Sequence, residues 1–159
     1  MNKLLLPVIL IVLLPGSLSD RRCSCQTALE SDVAHGANEL HEYSETTVKK
    51  IRGQIVYWNG EKPVKDVVVE IYEIPPADRK LKVSDITKRR KRTAACITSD
   101  DGSFCFSNLP SGRYLVRAGV RSAHDGMNDV FMKVNVDRAW WSRWFRRDKQ
   151  IKLGLTPGT

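Results

Sequence analysis

The segment TSDDGSFCFSNLPSGRYLV, residues 98–116, says most about the architecture of this chain. Its first part, Asp100-Asp101-Gly102, is typical of a tight turn, because glycine tolerates a positive φ and aspartate side chains cap turns. Phe104 and Phe106 then alternate with small or polar residues, as in a strand with one buried face. A second break at 109–112 precedes another alternating run. The segment predicts three strands of an antiparallel sheet, not a catalytic framework.

The same pattern of short, turn-bounded strands continues on both sides of this segment. We predict an all-β fold, a seven-stranded β-sandwich with Greek-key connections and no convincing helix. Residues 77–93 are expected to form a polar loop that ends in the basic run Lys88–Arg92. The predicted strands are 48–57, 63–74, 93–99, 103–107, 113–120, 130–136 and 150–155.

The first nineteen residues have the pattern of a cleaved export signal: Lys3, an apolar run over 4–14, and small residues before the expected cleavage point. As a helix, this run would span about 16 Å, against roughly 30 Å of membrane hydrocarbon. We therefore expect a signal peptide over 1–19, an acidic arm with a possible short helix over 20–47, and the sandwich over 48–159. The protein is expected to be secreted or extracytoplasmic, in the periplasm or at the cell surface.

Four cysteines in an exported chain allow three pairings. If Ala95 and Ile97 face the core with the phenylalanines, Cys96 and Cys105 project together from the opposite face of a hairpin, at a spacing that suits a disulfide. We predict this bond. Cys23 and Cys25 are left open: they are either thiols or bridge to another chain.

The charge of the chain is uneven. The formal net charge is +8, yet residues 20–47 carry six acids against two arginines, so the remainder is strongly basic. A basic exported domain suits contact with lipid headgroups, acidic polysaccharide or extracellular nucleic acid. The alternative is that the positive charge only maintains solubility.

Beyond its strand pattern, the chain resembles a known family. The ordered set GQIV at 53–56, KPVKDVVV at 62–69 and the spaced motif of residues 98–114 is similar to the carboxypeptidase regulatory-like domain. This group belongs with the transthyretin-like (prealbumin-like) and collagen-binding-protein B-type sandwiches. The resemblance covers about residues 51–155. A short single domain behind a simple signal, with this family's signature, looks like a bacterial protein. The resemblance implies close strand approach at Gly53 and structural roles for a set of core residues: Phe104, Phe106, Leu109 and Tyr114.

Catalytic chemistry has little support in the sequence. His124-Asp125 could be a base and its orienting acid, but no serine or cysteine nucleophile has a context that would activate it. No His, Cys, Asp and Glu cluster has metal-ligand spacing. The chain also departs from the enzymes and isopeptide-forming adhesins of the wider fold, since it ends LTPGT and has no asparagine in its last strand. We expect no enzyme activity, no cofactor and no metal; a hydrolase centred on His124 is the weakest alternative.

A segment rich in tryptophan and arginine, 138–147, is the leading candidate for binding. Its aromatic rings could stack on sugars, while its arginines contact anionic groups. The alternative is that the rings cover one end of the sandwich. The basic run Lys88–Arg92 is the second candidate, and its alternative is a solvated loop. We predict an accessory module for binding or for cell-surface structure, with glycan or anionic cell-surface contact, no specific nucleic acid and at most peripheral membrane contact. Adhesion to membranes or anionic polymers is the second hypothesis. The candidate binding residues are Trp140, Trp141, Trp144, Arg143, Arg146 and Arg147.

Overall fold

The computed structural model describes residues 41–60, 62–120, 127–138 and 149–157 of the chain. Within these ranges it forms eight strands, a 3-10 turn and one short α-helix. The strands are β1 His41–Val48, β2 Ile51–Tyr57, β3 Val67–Glu73, β4 Arg92–Ile97, β5 Ser103–Phe106, β6 Gly112–Val120, β7 Val130–Val136 and β8 Ile151–Leu155. The 3-10 turn is Pro76–Asp78, and helix α1 is Val83–Arg89.

The strands form two mixed sheets. The large sheet has the order β1-β7-β6-β3-β4, and the small sheet has the order β5-β2-β8. Two pairs are parallel, β1 with β7 and β2 with β8, and the other pairs are antiparallel. Consecutive strands therefore often belong to different sheets, and the chain passes repeatedly from one layer to the other.

The apolar core lies between the two sheets. Alternate residues of each strand point into it, so Val67, Val69 and Ile71 of β3 meet Ile51 and Ile55 of β2 in one cluster. Complete burial of such side chains contributes roughly 1.5–3 kcal/mol each. The roles that the sequence assigned to the motif side chains are confirmed, since all four belong to this core: Phe104, Phe106, Leu109 and Tyr114.

The three-stranded antiparallel sheet predicted from residues 98–116 is wrong. The turn itself is present: Gly102 has a φ of 69°, and its N–H donates to the Ser99 carbonyl at 2.8 Å. However, it joins β4 at the edge of the large sheet to β5 at the edge of the small sheet. The turn is a corner between layers, because β5 pairs with β2 and β4 pairs with β3.

The predicted Cys96–Cys105 disulfide is also wrong. Cys96 faces the core, is fully buried and remains a thiol. Cys105 lies on β5 between two inward-facing phenylalanines, so its side chain points to the outer face of the small sheet. The two sulfurs are on different sides of a sheet, and the disulfide that involves Cys105 is not made with Cys96.

Two elements appear where the sequence predicted none. Strand β1 begins at His41, within the segment assigned to the acidic arm, and raises the number of described strands from the predicted seven to eight. Helix α1 lies within 77–93, which was expected to be a polar loop. No helix in the described ranges is long and apolar enough to cross a membrane. The predicted signal segment and residues 20–40 of the arm lie outside the described residues.

The side chain of Tyr43 joins the edges of the two sheets, and close backbone contact occurs within the small sheet at Gly53. The Tyr43 hydroxyl accepts a hydrogen bond from the Gly154 N–H at 2.8 Å and donates to the Gly154 carbonyl at 3.2 Å. This bond links β1 of the large sheet to β8 of the small sheet and satisfies backbone groups on an edge strand. The expected close approach at Gly53 is confirmed, since a Cβ there would lie 2.0 Å from the Ile151 carbonyl oxygen.

Candidate functional site

The structure describes only some of the residues that the sequence indicated as functional. The predicted binding residues Trp140, Trp141, Trp144, Arg143, Arg146 and Arg147 lie outside the described residues, as does His124. The basic run Lys88–Arg92 is described. It forms the last turn of α1 and the first residue of β4.

Helix α1 packs on the outer face of the large sheet. Val83 and Ile86, three residues apart on one side of the helix, are buried against Tyr72 of β3, Leu115 of β6 and Phe131 of β7. The ion pair between Arg90, just after the helix, and Asp78 of the 3-10 turn adds a polar link between the two ends of this connection. The apolar side of α1 is thereby used in packing, and its polar side faces solvent.

The exposed side of α1 and its flanks is strongly basic. Six exposed cationic side chains lie within 79–91, and within the described part of the chain no hydrogen bond or ion pair involves any of them. Asp85 is the one acid in this stretch. We call these six residues the basic surface: Arg79, Lys80, Lys82, Lys88, Arg89 and Lys91.

Two further arginines nearby are neutralised. Arg90 pairs with Asp78, and the Arg92 Nη1 lies 2.8 Å from Oε1 of Glu70. The predicted basic run is therefore not uniform. Three of its five residues remain available to a partner, whereas the other two hold the local structure together.

A buried ionic cluster lies in the large sheet on the same outer face as the helix. Glu70 and Arg117 are 4% and 3% exposed. The Arg117 guanidinium contacts Glu70 Oε2 at 3.1 Å and Asp129 Oδ2 at 2.6 Å, and the Tyr72 hydroxyl donates to Glu70 Oε2 at 2.9 Å. Each carboxylate has a cationic partner, so the cluster can be buried.

The pKa shifts in this cluster follow from burial and charge. Burial raises the pKa of Tyr72 above its ordinary value, and the neighbouring Glu70 carboxylate raises it further. Burial acts to lower the pKa of Arg117, but Asp129 and Glu70 outweigh it and raise that pKa. Both shifts favour the protonated forms. The cluster is thus a set of satisfied groups, which indicates a structural role.

Two aromatic side chains are exposed at the end of β2. Tyr57 is 38% exposed and Trp58 57%. A Cβ on Gly154 would lie 3.5 Å from the Cε3 atom of the Trp58 indole, so the ring lies against the small sheet. This exposed ring could stack on a sugar.

In the described ranges, no group of three or more His, Cys, Asp or Glu residues could hold a metal ion.

The sequence indicated the basic run Lys88–Arg92 but placed it in a polar loop, so it did not show that α1 extends the basic surface back to Arg79. The helix has seven residues, and its two buried positions are too few for a helical period to stand out. The density of lysine and arginine over 79–92 was the available signal. The sequence did not indicate that Arg90 and Arg92 are paired, because their partners Asp78 and Glu70 are 12 and 22 residues away.

No family model matches this chain, and no curated protein matches it. Among solved structures, the chain is similar to an (S)-allantoin synthase at 12% identity with a TM-score of 0.38. The similarity covers 70% of this chain but only 43% of the length of that enzyme.

Proposed function

We propose that this chain is a secreted, non-enzymatic β-sandwich module that binds an acidic polysaccharide outside the cell. We take its two sheets to form an eight-stranded variant of the transthyretin-like, carboxypeptidase regulatory-like sandwich with Greek-key connections. The observation that carries the proposal is the basic surface, with six exposed cations on and beside α1 and no anionic partner within the described residues. Clustered like charges repel one another, and an anionic polymer relieves that repulsion.

The anchoring of α1 favours a polymer over a bilayer as the partner. Helices that lie in a membrane surface insert an apolar face among the lipids. The apolar residues of α1, Val83 and Ile86, are 4% and 0% exposed because they pack on the large sheet. Nothing apolar is left on this helix to insert. Membrane adhesion is therefore the second candidate, and its sequence basis is the tryptophan- and arginine-rich segment 138–147.

The buried ionic cluster has the features of a structural element and does not offer a catalytic site. Catalytic groups must be accessible to a substrate. Glu70 and Arg117 are instead enclosed and paired with each other, and further partners occupy their remaining atoms. Their arrangement is that of groups holding adjacent strands in register.

Binding to immobilised polygalacturonate, compared with neutral dextran, tests the proposal. We expect the purified chain to bind polygalacturonate at low salt and to dissociate as salt rises, because exposed charges are screened within about 3 Å at 1 M salt. Binding to neither polymer, or equal binding to both, would contradict the proposal. Tighter binding to phosphatidylglycerol vesicles would favour the membrane candidate, and tighter binding to double-stranded DNA would contradict both.

Matched charge variants locate the surface. The triple variant Lys88→Gln, Arg89→Gln and Lys91→Gln is expected to weaken polygalacturonate binding at least about tenfold, a loss of 1.4 kcal/mol or more. The control variant replaces three exposed lysines on turns that flank the small-sheet strand β2 and removes the same charge. Equal losses in both variants would show a net-charge effect and not a defined surface. The control residues are Lys50, Lys62 and Lys65.

A further inference from the structure

A cleft of about 430 Å³ opens where the chain entering α1 faces the large sheet. Its volume lies in the range of small-molecule sites, which is roughly 300–1,000 Å³. One wall comes from the segment just before the helix and the other from β1 and β7. The principal lining residues are Lys80, Leu81, Lys82, Glu42, Phe131 and Lys133.

The charges in the cleft are not balanced. Lys133 Nζ lies 3.0 Å from Glu42 Oε1, so these two groups neutralise each other. Lys80 and Lys82 belong to the basic surface, and within the described residues neither has an anionic partner. The cleft thus carries two unneutralised ammonium groups, and the Glu42 carboxylate offers an acceptor for hydroxyl groups.

The floor of the cleft is apolar. Leu81 and Phe131 belong to the cluster that anchors α1, and both line the cleft. Apolar floors with a few convergent polar groups are typical of sites for small ring-shaped ligands. Cations, one carboxylate acceptor and an apolar floor together match a pyranose ring that carries a carboxylate.

We infer that this cleft is a subsite for one or two uronate residues of the polysaccharide, with the carboxylate bound by Lys80 and Lys82. The inference rests on the proposed function, since it deepens the same surface. Two parts of the basic surface then have different roles. The cleft recognises an individual acidic sugar, whereas Lys88, Arg89 and Lys91 attract the polymer through its charge.

Calorimetric titration with digalacturonate, a ligand too short to span the whole basic surface, tests the inference. The double variant Lys80→Gln and Lys82→Gln is expected to bind digalacturonate about tenfold more weakly. The matched control, Lys62→Gln and Lys65→Gln, removes the same charge from exposed positions outside the basic surface and should change digalacturonate affinity less than about twofold. Digalacturonate dimethyl ester, which lacks the charges, should bind more weakly than the acid to the unmodified chain.

Three results would overturn the inference and leave the proposed function intact. These are polygalacturonate binding without digalacturonate binding, equal losses in the two double variants, and inorganic phosphate binding as tightly as digalacturonate. Failure of the unmodified chain to bind polygalacturonate would instead remove the proposed function and the subsite with it. Unchanged thermal unfolding of both variants controls for folding, since all four substituted side chains are exposed.

Discussion

Arg117 and Glu70 form an ion pair within the large sheet, with Nη1 of the arginine 3.1 Å from Oε2 of the carboxylate. Their side chains are only 4% and 5% exposed. The same guanidinium also contacts Asp129 at 2.6 Å, so one arginine on β6 serves carboxylates from β3 and from the chain just before β7. A single buried cation therefore links three neighbouring segments of the sheet.

Arg117→Met should destabilise the protein strongly. The substitution keeps an apolar stem of similar length but leaves Asp129 without this cation and Glu70 with Arg92 as its one remaining cation in the cluster. Removal of one partner from a buried pair typically costs about 3–5 kcal/mol. The loss is to be measured as a decrease in the free energy of urea-induced unfolding.

Arg113→Met is the matched control, since Arg113 is on the same strand. Its Nε lies 3.5 Å from Glu45 Oε1, and both side chains are more than a third exposed. Exposed pairs contribute about 0–1 kcal/mol. Similar losses in the two variants would show that burial does not determine the strength of these contacts.

The raised pKa of Tyr72 predicts a loss of stability at alkaline pH. In the unfolded chain this tyrosine ionises near 10.0, whereas in the folded chain burial and Glu70 keep it protonated to higher pH. Above the unfolded pKa the unfolded state has fewer bound protons, so the free energy of unfolding falls as pH rises through this window. Below it, the contribution is fully present.

Tyr72→Phe should flatten this alkaline decline. The difference in unfolding free energy between the parent and the variant is expected to be constant between pH 7 and 9 and to shrink above pH 10. Tyr57→Phe, at an exposed position, is the control and should leave the slope unchanged. If the difference in unfolding free energy stayed constant up to pH 11, ionisation of Tyr72 would not be the cause of the alkaline decline.

Gly53 is the position where the small sheet tolerates no side chain. A Cβ there would lie 2.0 Å from the Ile151 carbonyl oxygen, a backbone atom that cannot move without breaking the β2–β8 pairing. Gly53→Ala should therefore cost several kcal/mol, about as much as a large cavity in the core. Gly112→Ala is the control, because a Cβ at Gly112 would meet no atom closer than 3.6 Å. Equal thermal midpoints for the two variants would contradict the proposed steric cause.

Much of the strand pattern could be predicted from local sequence, but the sheet arrangement could not. Alternation and turn residues located β2 to β8 within a few residues, because periodicity and turn chemistry are local properties. Assignment of β4 and β5 to different sheets depends on pairing with β3 and β2, which are distant in sequence. Strand β1 was missed because its sequence, HEYSETTV, is mostly polar and has little apolar alternation.

The orientation of β4 shows a second limit of periodicity. Ala94 and Cys96 occupy one face of the strand and Ala95 and Ile97 the other, so both faces carry apolar or small residues. A period of two cannot choose between them. The structure places Cys96 in the core and leaves Ile97 only partly buried. The error in the predicted disulfide follows directly from this ambiguous choice of face.

Cys96 is a buried thiol, and Cys105 is disulfide-bonded. The chain has four cysteines, so an intramolecular bond to Cys105 must use Cys23 or Cys25. Peptide mapping without reduction should therefore find Cys105 linked to one of these two residues. Cys96 should react with a thiol reagent only after unfolding, because its side chain is fully buried. A Cys96–Cys105 cross-link, or rapid labelling of Cys96 in the folded protein, would show that β4 presents its other face to the core.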